Sequence, residues 1–266
     1  MPKTVGAAYR NVTALERGLQ VLVALNRLPS GIGTVGSLAG ATGLHRTTVK
    51  RLLETLTAHG FLRRSHSDDT YRLVARVRAL SEGFTDDEWV SSAAMPELGE
   101  LLKQLVWPSD LTTLDGDAMV IRETTHRFSS LSFHRNMVGR RIPLLNTASG
   151  RVYLAHCPPN ELEQLLHFLA RSADAEQARM ARDARLVRHL LDKVRREGCG
   201  CNSGEWSVEP HVGGIAVPII GNGKVLACLS VVFLIRVISV EDARTRFLPA
   251  LAASAQRIER VIAGPA

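Results

Sequence analysis

Six side chains clustered at one point of the chain carry the donors that a nucleic acid needs: His45, Arg46, Thr47, Thr48, Lys50 and Arg51. Arginine forks fit guanine edges and phosphates, lysine supplies a point charge, and hydroxyls and imidazole bond phosphate or base edges. Their spacing assigns them to one surface. Val49, Leu52, Leu53 and Leu56 recur at i, i+3, i+4 and i+7, so they form a buried helical stripe and leave the polar set at the helix start and on its outer face. A short helical stretch before it, a turn at Gly43 and this second helix make a helix-turn-helix, whose second helix suits the major groove of DNA. Arg63, Arg64 and Arg72 supply further cations beside it. They fall on two expected strands, Phe61 to Arg64 and Tyr71 to Leu73, joined by the turn-rich residues 65–70. That hairpin is the wing of a winged helix, placed to hold phosphate and set orientation.

Other chemical signals are weak. Gly31-Ile32-Gly33-Thr34-Val35-Gly36 matches a dinucleotide-binding glycine pattern, but it follows an expected helix and Pro29 and opens a helix of about two turns. Cys199-Gly200-Cys201 lacks a second Cys or His pair at zinc spacing, with only His211 nearby, and reads as a solvent-near thiol pair. Cys157 and Cys228 read as small buried hydrophobes. No G-x-S-x-G, P-loop, H-E-x-x-H or acid pair occurs, so neither catalysis nor a metal or other cofactor is expected.

These residues need a scaffold, and 266 residues suffice for two domains. The net charge of +7 is uneven. Residues 1–80 hold 12 basic and 4 acidic side chains, whereas residues 81–266 hold 21 and 22. All the excess positive charge therefore lies with the helix-turn-helix, which favours a nucleic-acid partner. No secretory leader is read at the N-terminus. The longest apolar run, Val225 to Ile235, is broken by Ser230 and falls short of the roughly 18 residues that span a bilayer. A cytoplasmic protein with reduced thiols and no membrane partner is expected.

An α+β organisation follows. Residues 1–10 are expected to be disordered and 11–74 to form the winged helix-turn-helix domain. Residues 75–106 are expected as linker helices, with a break at Gly83-Phe84-Thr85 and a restart near Asp86-Asp87, and 107–266 as the second domain. The first helix is expected over Val12 to Leu28 with Leu15, Leu19, Leu22 and Val23 toward the core, and the next over Thr34 to Ala41. In the second domain strands are predicted at Asp110–Leu114, Ala118–Glu123, Ser130–His134, Gly214–Ile220 and Lys224–Leu234. Helices are predicted at Thr147–His156, Pro159–Arg171, Ala181–Glu197 and Val240–Ile262. Strands with helices on one side, closed by a hairpin, suggest a sensor-like domain.

Three motifs in this order resemble the IclR family of bacterial transcription regulators. They are Leu38-Ala39-x-Ala41-Thr42-Gly43-Leu44 with Thr47-Thr48-Val49-x-Arg51-Leu52-Leu53; Val138-Gly139-x-x-Ile142-Pro143-Leu144 into Thr147-Ala148-Ser149-Gly150; and Gly213-Gly214-Ile215-Ala216-Val217-Pro218-Ile219 into Leu229-Ser230. Within the family the chain is similar to activators of 3-(3-hydroxyphenyl)propionate catabolism. The residues that carry this are Gly43 to Val49, Arg64-Ser65-x-Ser67-Asp68-Asp69, Val106-Trp107-Pro108 and the run Arg122 to Arg135. The resemblance implies a homodimer or tetramer on double-stranded promoter DNA, contact with RNA polymerase, and a C-terminal GAF-like domain that binds a small aromatic carboxylic acid such as 3-(3-hydroxyphenyl)propionate. A family repressor or activator answering to a different small carboxylic or aromatic acid is the alternative.

By the same resemblance Thr147, Ala148, Ser149 and Gly150 border the effector pocket, and Gly214, Ser230 and Val232 add contacts from paired strands. Some relatives that take small oxoacids carry polar residues at the positions of Gly214 and Val232, so apolar residues here suit an aromatic ring. Free N–H groups at a helix start attract a carboxylate. His134 and Arg135 are candidates to pair with it, and Arg140 and Arg141 compete for that role. Glu205 and Trp206 lie on a loop able to cover the pocket. Two other functions stand beside a regulator. An enzyme needs a catalytic constellation in residues 110–235, and an architectural DNA binder needs no effector at all.

Overall fold

The computed structural model describes residues 12–65, 67–81, 90–132, 134 and 136–263. The expected disorder at residues 1–10, the helix break at residues 83–87 and the candidate Arg135 all fall outside this set. The chain divides into two compact units, residues 1–85 and 86–266.

In the first unit, α1 (Thr13–Arg27), α2 (Val35–Thr42) and α3 (Arg46–Ala58) pack beside a small sheet of β1 (Ile32–Gly33), β2 (Leu62–Arg64) and β3 (Tyr71–Leu73), in the order β1-β3-β2. Thr34 caps α2, accepting from Ser37 N, while the Ser37 side chain accepts from Thr34 N. Gly43 ends α2 with φ of 69°, a left-handed turn open to glycine, and this turn aims α3 across α2. Val49 and Leu53 are fully buried, with Leu52 and Leu56 packed around them, so the predicted stripe is the core face of α3.

On α1 the predicted core face is wrong. Leu15, Leu19 and Val23 are 61 %, 55 % and 49 % exposed; Val21 and Leu25 fill the core, with Leu22 packed against it. The helix is apolar on two sides, and tertiary packing selects the narrower one. Residues 75–81 form a 3₁₀ helix rather than part of a long α-helical linker.

The second unit opens with a π-helical turn (Val90–Ala94) and α4 (Met95–Leu105). Its sheet has six antiparallel strands in the order β6-β5-β4-β9-β8-β7, from β4 (Ser109–Asp115), β5 (Ala118–Thr124), β6 (Arg141–Pro143), β7 (Gly200–Ser203), β8 (Val212–Gly221) and β9 (Lys224–Leu234). Its helices are α5 (Ala148–His156), α6 (Pro159–Leu169), α7 (Ala175–Arg182), α8 (Ala184–Glu197) and α9 (Val240–Ala263). They cover both faces of the sheet, not one as expected. Ile215, Val217, Leu229, Val231 and Phe233 point to α4 and α9, while Ala216 and Cys228 point to α5 and α8. Strands apolar on both faces need two layers over them.

Two further expectations fail for local reasons. The strand predicted at Ser130–His134 is absent among the described residues of that segment. Leu131 N donates to Ser129 Oγ (3.2 Å), and His134 N donates to Ser132 Oγ (3.1 Å), so hydroxyls take the backbone donors a ladder would use. The helix predicted at Ala181–Glu197 is two. Asp183 ends α7 and starts α8, its carboxylate accepting from Arg185 N and Leu186 N (3.1 and 3.0 Å).

Candidate effector pocket and nucleic-acid face

The start of α3 gathers the residues first singled out. His45 is its N-cap, with Nδ1 2.9 Å from Thr47 Oγ1, and the ring accepts from Thr47 N. His45, Arg46, Thr47, Lys50 and Arg51 are exposed and Thr48 is half-buried. No ion pair engages Arg46, Lys50 or Arg51 among the described residues.

The wing sorts its three arginines differently. Arg63 is exposed and faces Arg72 across the β2–β3 pairing, a like-charged pair on one face of the small sheet. Arg64 is committed inside the protein, to Asp69 (2.6 Å) and Glu54 (3.3 Å). Arg72 leans on Asp68 at 3.4 Å. Hydrogen bonds from the Ser65 and Thr70 side chains, with the Arg72 charge behind them, hold the Asp68 carboxyl down at about 2. Burial and the hydrogen bond to Glu54 push the Tyr71 hydroxyl up to about 12, keeping it a donor. Arg64 therefore braces the wing.

In the second unit a cavity of about 570 Å³, counted to its open mouth, lies between the α5 side of the sheet and the loop from β7 to β8. Ile121, Met137, Ile142, Val212, Val232 and Trp206 give it apolar walls. Of the predicted effector residues, His134, Thr147, Ala148, Ser149, Gly214, Ser230 and Val232 all line it. Gly150 does not. Its position for a Cβ is 2.3 Å from the Leu144 carbonyl oxygen, so it packs the start of α5 onto the preceding turn.

The α5 N-terminus is less open than its sequence suggests. Ala148 N donates to Asn202 Oδ1 (3.2 Å) and Gly150 N donates to Thr147 Oγ1 (3.3 Å). Ser149 N has no partner among the described residues. Gly214 makes room for this cap, because a Cβ there would stand 2.8 Å from Asn202 Oδ1. A larger polar residue at 214 would have to displace Asn202.

Two of the pocket's basic side chains are already matched. Glu209, on the loop, takes Arg140 through a short charge-assisted hydrogen bond and His134 Nε2 at 2.9 Å. Burial pushes the Glu209 carboxyl up, but Arg140 and His134 outweigh it and hold it below the ordinary value. Arg140 also stacks 4.9 Å from the Trp206 ring centroid. Arg141, its competitor in sequence, points elsewhere, to Asp115 (2.5 Å) and Asp117 (2.7 Å). Glu205 turns away from the cavity to Arg151 (3.1 Å).

Four polar pocket residues escaped the sequence reading: Asp110, His126, Asn202 and Glu209. The β4–β5 pairing, which sets Asp110 opposite Thr124, brings the first two together. The thiols of Cys199 and Cys201 sit 3.9 Å apart beside Glu197, and Cys199 is buried rather than solvent-near. Arg244 already pairs with Glu197 at 3.1 Å, occupying the carboxylate that a cation would need.

Comparison with known proteins fixes the family. The bacterial transcriptional regulator IclR C-terminal domain matches residues 85–260, and the IclR helix-turn-helix domain matches residues 14–66. The chain belongs to the IclR family of bacterial transcriptional regulators. It is 28 % identical over 255 residues to the Pca regulon regulatory protein of Pseudomonas putida, covering 92 % of this chain and 82 % of that one. The Thermotoga maritima IclR structure superposes with a TM-score of 0.72 at 21 % identity, over 95 % of this chain and 99 % of that one. An IclR homologue from Microbacterium hydrocarbonoxydans, crystallised with 4-hydroxybenzoate, gives 0.67 at 23 %, over 95 % and 100 %. This IclR-family chain is thus a DNA-binding transcriptional regulator and not an enzyme. No described helix is long and apolar enough to cross a membrane.

Proposed function

We propose that this regulator senses a small aromatic carboxylic acid in the pocket of its second unit and, in response, activates genes for aromatic-acid breakdown from the cytoplasm. The observation that carries the reading is the pocket itself, where apolar side chains such as Ile121, Ile142, Trp206 and Val232 stand beside polar and charged ones such as His134, Arg140 and Ser149. An arylpropionate has that shape, and 3-(3-hydroxyphenyl)propionate is the first candidate. Its ring lies between Val232, Ile142 and Trp206. Its carboxylate goes to Ser149 N–H at the α5 start, where the helix dipole favours an anion, with Arg140 and His134 near.

On DNA, Thr47, Thr48, Lys50 and Arg51 face the groove, His45 and Arg46 stand at its entry, and Arg63 reaches phosphate. Arg64 and Arg72 act mainly by shaping the wing. The domains run as a winged helix-turn-helix over 11–74, a linker over 75–106 and an effector domain from 107. The exposed stripe of Leu15, Leu19 and Val23 on α1, with Val12 at its N-cap, is assigned to a second copy of the chain, since helix-turn-helix modules read two half-sites as pairs.

The effector acts only by binding one DNA-binding state more tightly than another. Purified protein titrated onto its own upstream intergenic DNA, at fixed salt with competitor DNA, tests this. Specific binding that 3-(3-hydroxyphenyl)propionate strengthens or reshapes is expected. Specific binding indifferent to that acid and to a panel of other aromatic acids refutes the sensing role. Loss of all preference over competitor refutes regulation at this DNA.

A further inference from the structure

Two polar side chains that line the pocket are left incompletely satisfied by the rest of the protein. Asp110 and His126 are each 3 % exposed, and both line the cavity. Thr124 Oγ1 donates to Asp110 Oδ1 at 2.5 Å, which leaves Oδ2 turned to the imidazole, 3.5 Å from His126 Nε2. That contact does not make a hydrogen bond, and the buried Nε2 has no partner among the described residues.

On its other side the ring meets Ser132, whose Oγ lies 2.5 Å from His126 Nδ1 and 2.9 Å from the His134 carbonyl oxygen. A neutral imidazole that donates through Nδ1 presents a lone pair at Nε2; one that accepts at Nδ1 presents Nε2–H. In either case Nε2 faces the pocket beside the Asp110 carboxylate oxygen. Leaving such groups unpaired when a ligand excludes water is costly.

We infer that His126 and Asp110 form a hydroxyl-recognition subsite, and that the effector of this regulator is an aromatic acid bearing a ring hydroxyl. This rests on the aromatic-acid reading above and adds the ring substituent. A hydroxyl satisfies the pair in either protonation state. It donates to the Nε2 lone pair of the neutral ring, or it accepts from Nε2–H of the charged ring while donating to Asp110 Oδ2. A carboxylate is repelled by Asp110, and a methyl ether has nothing to donate. The subsite therefore also orients the ligand, hydroxyl toward His126 and Asp110 and carboxylate toward Ser149.

Isothermal titration of the full chain with 3-(3-hydroxyphenyl)propionate, 3-phenylpropionate and 3-(3-methoxyphenyl)propionate tests this, with the 2- and 4-hydroxy isomers alongside. At least one hydroxylated acid is expected to bind about tenfold or more tightly than the unsubstituted acid and the ether. His126→Phe is expected to reduce that preference to about twofold while the unsubstituted acid still binds. Asp110→Asn, a smaller change that keeps the side-chain shape, is expected to reduce it as well. Equal affinity of the wild-type chain for hydroxylated and unsubstituted acids overturns the subsite alone. So does a preference that survives in both variants. Failure of every one of these acids to bind overturns the aromatic-acid reading with it.

Discussion

The two units treat charge in opposite ways. On the face of α3, Arg46, Lys50 and Arg51 stand in water with no internal ion pair among the described residues, whereas around the pocket Glu209 has already claimed Arg140 and His134. An exposed cation keeps its hydration until DNA arrives, and the salt it releases then drives binding. A pocket charge has lost much of its water and needs a partner in the unliganded state as well. The proposed DNA face can therefore be built from free donors, while the proposed effector pocket is built largely from matched ones.

The largest effect separating the two regimes is expected at Arg151. It is 5 % exposed, and its guanidinium donates to the carbonyls of Leu145 (2.8 Å) and Cys201 (2.5 Å) besides pairing with Glu205. Arg151→Leu orphans those acceptors beside the α5 start and is expected to cost about 3 kcal/mol, read from urea unfolding midpoints. A loss under about 1 kcal/mol would mean that matched charges do not hold this unit together. On the DNA face the expected loss is of binding and not of stability. Arg51→Ala should lower operator affinity about tenfold and flatten the slope of log affinity against log salt by about 1, with unfolding unchanged. An unaltered salt titration contradicts it.

The wing holds both kinds of arginine. Arg63→Ala should weaken DNA binding severalfold in a salt-dependent way, as loss of a phosphate contact does. Arg64→Ala should weaken it less and instead loosen the hairpin, seen as faster amide exchange at Ser65, whose N–H donates to Thr70 O at 2.8 Å. Equal binding losses would erase the distinction between free and bracing cations. The smallest effect concerns Asp68. With its folded value near 2, its support of the wing is present above the ordinary value of 3.8 and is lost only as pH falls toward 2. An NMR titration of its carboxyl carbon should show a midpoint near 2, and a midpoint at 3.8 would contradict that bracing.

What could be read without coordinates follows the same division. The helix-turn-helix is local: its stripe, its glycine turn and its polar start lie within 20 or so residues, and helical periodicity alone places them. The α5 start and the β8–β9 hairpin are likewise carried by contiguous motifs. The α1 core face was not decidable, because Leu15, Leu19 and Val23 make as good a stripe as Val21 and Leu25 until the partners are present. The strand expected at Ser130–His134 has the composition of a strand, but serine hydroxyls redirect its backbone donors. In the pocket the missed residues share one property. Asp110 and His126 meet through strand pairing, and Asn202 and Glu209 arrive from a distant strand and loop, with no spacing that marks any of them.

Occupancy of the second unit's pocket is proposed to govern DNA binding by the first. The direct test is operator affinity, with and without 3-(3-hydroxyphenyl)propionate, for the wild-type chain and for Val232→Trp, which fills the pocket from β9. Val232→Trp is expected to bind the operator specifically and no longer to respond to the acid. A variant that responds as the wild type does would contradict it.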